Sequence, residues 1–271
     1  PEFDTRRVDP RRSGRRLRNP GRRRRQQDAA RPIAEVANEP TGYCRLPLRR
    51  PLNRRRSTGS IRVGTVHSIG LYELSEPLKH YFADFPHVNV YLEYDRASHV
   101  YEQVLRGNVD LGIVAYPTAR AQVTVLDFRT DRLVVVCSPA HPLAGRASIG
   151  VTDLDGEKMV GFEKGIPTRI ALDRLFNEKE VAVQYVAELD NIEMVKRLVE
   201  VGAGIAIIPD KACAHETRAG SLVRIELDDR GITRPIGIIY RTGKHFSPAV
   251  ERFVEYLQAD SRRSPGPDPA R

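Results

Sequence analysis

Apolar residues change their spacing abruptly near residue 60. From Ile61 onward, short β-branched runs alternate with stretches whose apolar side chains recur every three or four residues, the pattern of strands alternating with amphipathic helices. Ile61-Arg62-Val63-Gly64-Thr65 reads as a first strand. Leu71, Leu74, Leu78, Phe82 and Phe85 then predict one helical stripe, which Phe85-Pro86 ends because a residue before proline is pushed out of the α region. A strand over 88–94 follows. Ser98 is the expected N-cap of a second helix, with Val100, Val104 and Leu105 on one face and Gly107 as its stop, leading into a buried strand over 111–115.

Residues 133–137 predict another buried strand, and the two prolines of Ser138-Pro139-Ala140-His141-Pro142-Leu143 mark a lobe boundary. Further strands are expected over 159–162, 181–186 and 205–208, separated by helices over 168–177 and 192–201. The second of these helices carries the clearest signals: Asp190 as cap with Glu193 three residues on, Ile192, Val195, Leu198 and Val199 as its stripe, and Gly202 as its stop. A strand over 236–240 and a helix opened by Ser247-Pro248, with Val250, Phe253, Val254 and Leu257 inward, complete the series. Residues 260–271, with Ser264-Pro265-Gly266-Pro267-Asp268-Pro269, predict a disordered tail. The fold class is α/β with two lobes.

Charge divides the chain at the same place as hydrophobicity. Residues 1–56 hold 18 Arg, no Lys and six acids, a net of +12, so with +9 overall the remaining 215 residues carry −3. The globular part is mildly acidic, and the basic character belongs to one segment. That segment, 1–59, includes Arg22-Arg23-Arg24-Arg25 and Arg54-Arg55-Arg56, seven prolines and no apolar repeat, too little to offset chain entropy. Two readings stay open for it: a disordered arm that neutralises phosphates of a nucleic acid, or a stretch translated out of frame from a GC-rich region, which Arg without Lys favours.

Cysteine usage and hydropathy narrow the setting. Cys44, Cys137 and Cys213 are odd in number and never form Cys-x-x-Cys, so neither a disulfide framework nor a metal site is expected. No apolar run approaches the roughly 18 residues of a membrane span, and no secretory signal is visible, so a cytoplasmic chain with no membrane partner is the expectation.

Four stretches resemble the co-inducer domain of LysR-type transcriptional regulators. They are Gly59-Ser60-Ile61-Arg62-Val63-Gly64-Thr65, Leu105-Arg106-Gly107-Asn108-Val109-Asp110-Leu111-Gly112-Ile113, Val136-Cys137-Ser138-Pro139-Ala140-His141-Pro142-Leu143 and Val199-Glu200-Val201-Gly202-Ala203-Gly204-Ile205-Ala206-Ile207-Ile208-Pro209. Each is weak alone; their order over residues 60–259 carries the likeness. The resemblance implies two Rossmann-like lobes in the type 2 periplasmic-binding-protein fold, lobe I from 60–137 and 233–259 and lobe II from 138–232. It also implies an effector-sensing domain without a resident cofactor, whose small-molecule co-inducer lies between the lobes, and a homodimer or homotetramer that uses the helix from 71 to 85. DNA would be reached only through a winged helix-turn-helix, which residues 1–59 do not resemble.

In α/β sheets, ligands settle at the carboxyl ends of strands, where helix N-termini present unpaired N–H groups and positive dipole ends. Thr65, His67 and Ser68 follow the first strand, and Ser98 and His99 follow the second. Gly165, Thr168 and Arg169 enter one second-lobe helix, and Asn191 begins another. Ser68 and Ser98 serve equally well as helix caps, Arg169 as a surface ion pair, and both histidines as surface polar groups. Arg169 would offer a carboxylate or phosphate paired hydrogen bonds. Together these nine positions anticipate an anionic metabolite.

Enzymatic readings find little support. Gly-x-Ser-x-Gly, His-Glu-x-x-His and a phosphate loop are all absent from the sequence, so no catalytic residues are expected. Gly202-Ala203-Gly204 follows a helix and precedes a strand, the reverse of a dinucleotide turn. The remaining alternative is a solute-binding protein of a transport system, which shares fold and cleft but requires export.

Overall fold

The computed structural model describes residues 58–228 and 232–263. The readings of residues 1–57 and of the tail 264–271 fall outside these. In chain order, β1 (Gly59–Thr65), α1 (His67–Tyr72), α2 (Ser75–Asp84), β2 (Val88–Tyr94), α3 (Ala97–Arg106) and β3 (Leu111–Ala115) build a first lobe of parallel strands. The long strand β4 (Val123–Cys137) leaves it. The second lobe holds β5 (Ser148–Ile149), β6 (Lys158–Phe162), α4 (Pro167–Glu178), β7 (Gln184–Leu189), α5 (Ile192–Glu200), β8 (Ala206–Pro209), α6 (Ala214–Ala219) and β9 (Val223–Leu227). Finally β10 (Thr233–Arg241) and α7 (Pro248–Arg263) return to the first lobe.

β4 is the strand that joins the halves. Through Val123–Arg132 it runs antiparallel to β10, which itself lies antiparallel to β3, giving the order β2-β1-β3-β10-β4. From Leu133 its partners become β8 on one side and β9 on the other. The cores divide at the same point. Leu126 and Phe128 pack with Ile61, Tyr81 and Phe253 of the first lobe, whereas Leu133 and Val135 pack with Leu154, Leu172 and Ile205, and Val134 and Val136 with Val195 and Ile208. The second lobe's packing therefore takes over at Leu133, ahead of the prolines near 140. Buried on both faces, β4 reads as a continuous apolar run in Leu133-Val134-Val135-Val136-Cys137.

Several local expectations are corrected. The single helix over 71–85 is two helices, broken at Glu73-Leu74. The break turns α2, so that Tyr81 faces the core against Phe85, Phe253 and Tyr256, while Leu71 and Phe82 of the expected stripe are exposed. The strand placed at 181–186 lies at Gln184–Leu189. β5, β9 and the first part of β4 carry weaker apolar patterns and were not anticipated. Ser98 is not an N-cap: Arg96 holds that position, and the Asp95 carboxylate accepts the Arg96 N–H at 2.7 Å. Likewise Asn191, and not Asp190, caps α5, its Oδ1 accepting from Glu193 N at 2.8 Å. α7 continues to Arg263, so residues 260–263 belong to the helix and not to the tail.

Gly107 closes α3 with φ of +78°, a left-handed conformation that favours glycine. Phe253, fully buried in an edge-to-face contact with Tyr81, fastens α7 to the first lobe. Truncating it removes an aromatic side chain from a packed site, so Phe253→Ala is expected to cost about 3–5 kcal/mol. Urea unfolding should show a lowered midpoint with an unchanged slope.

Candidate functional site

Two loops of the first lobe meet at the carboxyl ends of β1 and β2. Thr65 is buried; its hydroxyl donates to Ile113 O at 2.9 Å, and its carbonyl accepts from Asp95 N at 2.9 Å, so the loop after β1 is bonded to the loop after β2. His67 stacks on Tyr94 with ring centroids 5.0 Å apart, and Gly70 lies so close beneath the same ring that a Cβ would stand 2.3 Å from it. Ser68 accepts from Arg234 Nη1 at 2.9 Å, a bond from β10 into the cleft loop. Neither α1 nor α3 has a side-chain cap, although in α1 the Ile69 N–H bonds to Val66 O at 3.1 Å. Ser98 and His99 are exposed on the first turn of α3, with His99 Nδ1 3.0 Å from Asp95 Oδ1.

Two second-lobe loops face them. Glu163 N donates to Leu189 O at 2.9 Å, joining the loop after β6 to the loop after β7. Gly165, at φ of +93°, turns the chain into α4, where Thr168 is buried. Asn191 is occupied as the cap of α5.

Side chains from the first lobe close the gap. Arg96 Nη2 lies 2.8 Å from Glu163 Oε2 and 3.4 Å from Asp190 Oδ2, so one guanidinium touches both second-lobe loops. Behind it, the Tyr72 hydroxyl donates to Glu193 and accepts from Lys196 Nζ at 2.9 Å. Lys196 is buried and also donates to Glu216 Oε1 at 2.7 Å and Ala212 O at 3.0 Å. The four loops foreseen from sequence therefore converge on one cleft, bridged by charged and hydroxyl groups.

The structure separates the nine anticipated positions. Thr65, His67, Ser68, Ser98 and His99 stand on the first-lobe side, and Gly165, Thr168 and Asn191 on the second. Arg169 is set apart: only 3% exposed, its Nε donates to Asp173 Oδ1 at 2.7 Å and its Nη1 to Phe162 O at 2.7 Å, with Glu188 Oε2 3.3 Å from Nη1 and its guanidinium over the Tyr185 ring. Burial pulls its pKa down, but the Asp173 bond, Tyr185 and the charges of Asp173 and Glu188 outweigh it and shift it upward. Its hydrogen-bonding fork is taken, so it braces α4 on β6 and β7. The sequence reading passed over Tyr72, Glu163 and Arg234 as contacts, placed Arg96 in the loop before Ser98 without choosing it, and set Asp190 aside as a cap that would repel an anion. Arg234 carried no signal, standing 166 residues from Ser68.

Among the described residues, no group of three or more His, Cys, Asp and Glu side chains is arranged to hold a metal ion, and no helix is long and apolar enough to cross a membrane.

Comparison with known proteins agrees with this geometry. A family model described as the LysR substrate binding domain matches residues 54–262. The RuBisCO operon transcriptional regulator of Allochromatium vinosum is 31% identical over 162 residues, 59% of this chain and 54% of that protein. The uncharacterized HTH-type transcriptional regulator YeiE of Escherichia coli K12 is 28% identical over 202 residues, 74% of this chain and 69% of that protein. The chain thus spans about half to two thirds of the length of these curated relatives. Among solved structures, the Synechocystis PCC6803 CcmR regulatory domain in complex with 2-PG is 26% identical and superposes with a TM-score of 0.70, covering 77% of this chain and 100% of that one. The BenM effector binding domain with benzoate, 20% identical and covering 76% of this chain and 94% of that one at a TM-score of 0.66, shares the fold.

The two arginines are expected to differ in what truncation costs. Arg169→Ala leaves the Phe162 carbonyl without its donor and should cost about 1–3 kcal/mol. Arg96, with a side chain 57% exposed, makes surface pairs, and Arg96→Ala should cost less than about 1 kcal/mol. Equal losses in urea unfolding would show that Arg96 carries structure and not the cleft.

Proposed function

We propose, from the premise that this chain belongs to the family of LysR substrate binding domains, that its interlobe cleft takes up a small anionic metabolite and passes the binding event to a DNA-binding part of a transcription regulator. The observation that carries this reading is the position of Arg96, where one guanidinium meets loops from both β6 and β7. Its two partners are solvent-exposed pairs, worth about 0.2–1 kcal/mol each. A carboxylate or phosphate that forms paired bonds to the same guanidinium, and accepts uncapped N–H groups at the start of α3, competes well with them. Exchange of Glu163 and Asp190 for the ligand then alters what holds the lobes together, and so favours one lobe arrangement over another.

The relatives support a regulator over a transport protein: they are transcriptional regulators, and the CcmR regulatory domain, the more similar of the two solved structures, was captured with 2-PG. In this reading the chain is not an enzyme, works in the cytoplasm and needs no resident cofactor, the effector being its small-molecule partner. DNA is contacted through a winged helix-turn-helix of the regulator, not through this domain.

Pairing of two copies has its own support. Leu71 on α1 and Phe82 on α2 are exposed, as are Met194 on α5 and Val201 at its end. The first lobe of one copy lying antiparallel beside the second lobe of another would cover both apolar faces. Phe82→Asp should shift the chain to monomer in sedimentation at tens of micromolar; if it sediments like the parent, α2 is not the interface.

A thermal-melt screen of the full chain against small carboxylates and phosphate esters tests the site. A cognate anion at about 100 times its Kd should add about 2.7 kcal/mol. Arg96→Ala should lose most of that gain while melting like the parent without ligand, and Ser68→Ala should lose it too from a lower starting point, because Arg234 Nη1 is left without its acceptor. Undiminished stabilisation in Arg96→Ala would remove the cleft from consideration.

A further inference from the structure

The place where β4 passes from one lobe to the other holds a buried cluster of charges that the cleft chemistry does not use. Glu73, between α1 and α2, is 1% exposed, and Asp131 on β4 is 6% exposed. Arg129 Nη1 and Lys211 Nζ both bond to Glu73 Oε2, at 2.7 and 2.8 Å, so Glu73 ties the first lobe to a lysine of the second. Glu73 Oε1 has no donor. The Glu73 and Asp131 side chains lie within hydrogen-bonding reach of each other. Asp131 uses Oδ2 to accept from Nε and Nη2 of Arg234, whose Nη1 goes to Ser68 in the cleft.

Two carboxyl groups thus face one another in a buried site with no donor between them unless one carries a proton. We propose that Asp131 and Glu73 share one proton at the hinge, and that its presence or loss couples acidity to the closure of the lobes and to the Ser68 side of the cleft. For its last step, to Ser68, this rests on the cleft assignment above. The bond runs from Asp131 Oδ1–H to Glu73 Oε1, completing both carboxyls. Loss of the proton sets two anionic oxygens against each other and loosens Glu73, the residue that holds Lys211.

The surrounding groups set where the proton leaves. Around the pair stand Arg129 on β4, Arg234 on β10, Lys211, Asp260 of α7 bonded to Arg129 at 2.6 Å, and Tyr116 beyond β3. Burial, with the Glu73 charge adding to it, outweighs the downward pull of Arg234 and leaves Asp131 raised to about 6. Burial acts upward on Glu73 too, but Lys211, Asp131 and Arg129 bring it below its ordinary value. The proton therefore belongs to Asp131. A carboxyl that holds its proton more tightly in the fold than in the open chain favours the fold fully below the ordinary aspartate range. That contribution fades as pH rises to about 6.

Asp131→Asn reproduces the protonated shape, with Oδ1 accepting from Arg234 and Nδ2 donating to Glu73. The test uses the full chain without effector, carrying Cys44→Ser and spin labels at Lys79→Cys on α2 and Arg174→Cys on α4, where the native Cys137 and Cys213 are buried. The distance between labels should be longer above about pH 6 than below it in the parent, and equally short on both sides in Asp131→Asn. Glu73→Gln, which supplies a donor from the other side, should also lose the pH dependence, so the test survives if Asp131→Asn does not fold. A parent distance that ignores pH, or the same pH shift in both variants, overturns the proposal. Because no effector is present, either result leaves the cleft assignment standing or falling on its own screen.

Discussion

The architecture depends on a single strand having to serve two sheets. β4 pairs with β10 as far as Arg132 and with β8 and β9 from Leu133. Beyond Leu133 its backbone groups are committed to β8 and β9, and its side chains feed cores on both faces of both lobes. Backbone hydrogen bonds buried in this way cannot be left open without cost, so the lobes cannot slide past one another. What remains soft is their relative tilt about the crossing.

Against this frame, the polar contacts across the cleft differ in depth. Arg96 with Glu163 and Asp190 lies at the exposed rim, where pairs contribute little and exchange readily. Tyr72 reaches the buried Lys196, and the buried Glu73 holds the half-exposed Lys211 next to the hinge. The gradient suits a domain that must yield to a ligand at its mouth without coming apart at its base. In the proposed reading an anion takes the place of Glu163 and Asp190 on Arg96, and both acids, at the exposed rim, pass to water at little cost.

Local signals were legible wherever the cause was local. The alternation of strand and helix, the left-handed Gly107 and the serine-proline start of α7 each depend on residues within one turn, and each appears where the sequence placed it. The loops at the ends of β1, β2, β6 and β7 were legible for the same reason. Errors arose where distant residues decided the outcome. The helix expected across 71–85 breaks at Glu73, whose carboxylate is held by Arg129 and Lys211, 56 and 138 residues away. Arg169 looked like an exposed anion contact, yet the Phe162 carbonyl and Asp173 claim it. Asn191 displaced Asp190 as cap once Asp190 turned toward Arg96 on the other lobe.

The charges at the crossing remain the feature that packing alone does not require. Taking ions out of water costs several kcal/mol each, and well-packed apolar residues often replace a buried ion pair with no loss of stability. Arg129, Arg234, Glu73 and Asp131 nonetheless occupy the one position where both sheets share a strand. An apolar cluster there would hold the lobes by shape in many nearly equivalent tilts, whereas directed bonds from two arginines fix a few. Stability that depends on donor geometry is lost in steps, not gradually, which is what the proposed switch between two lobe arrangements requires.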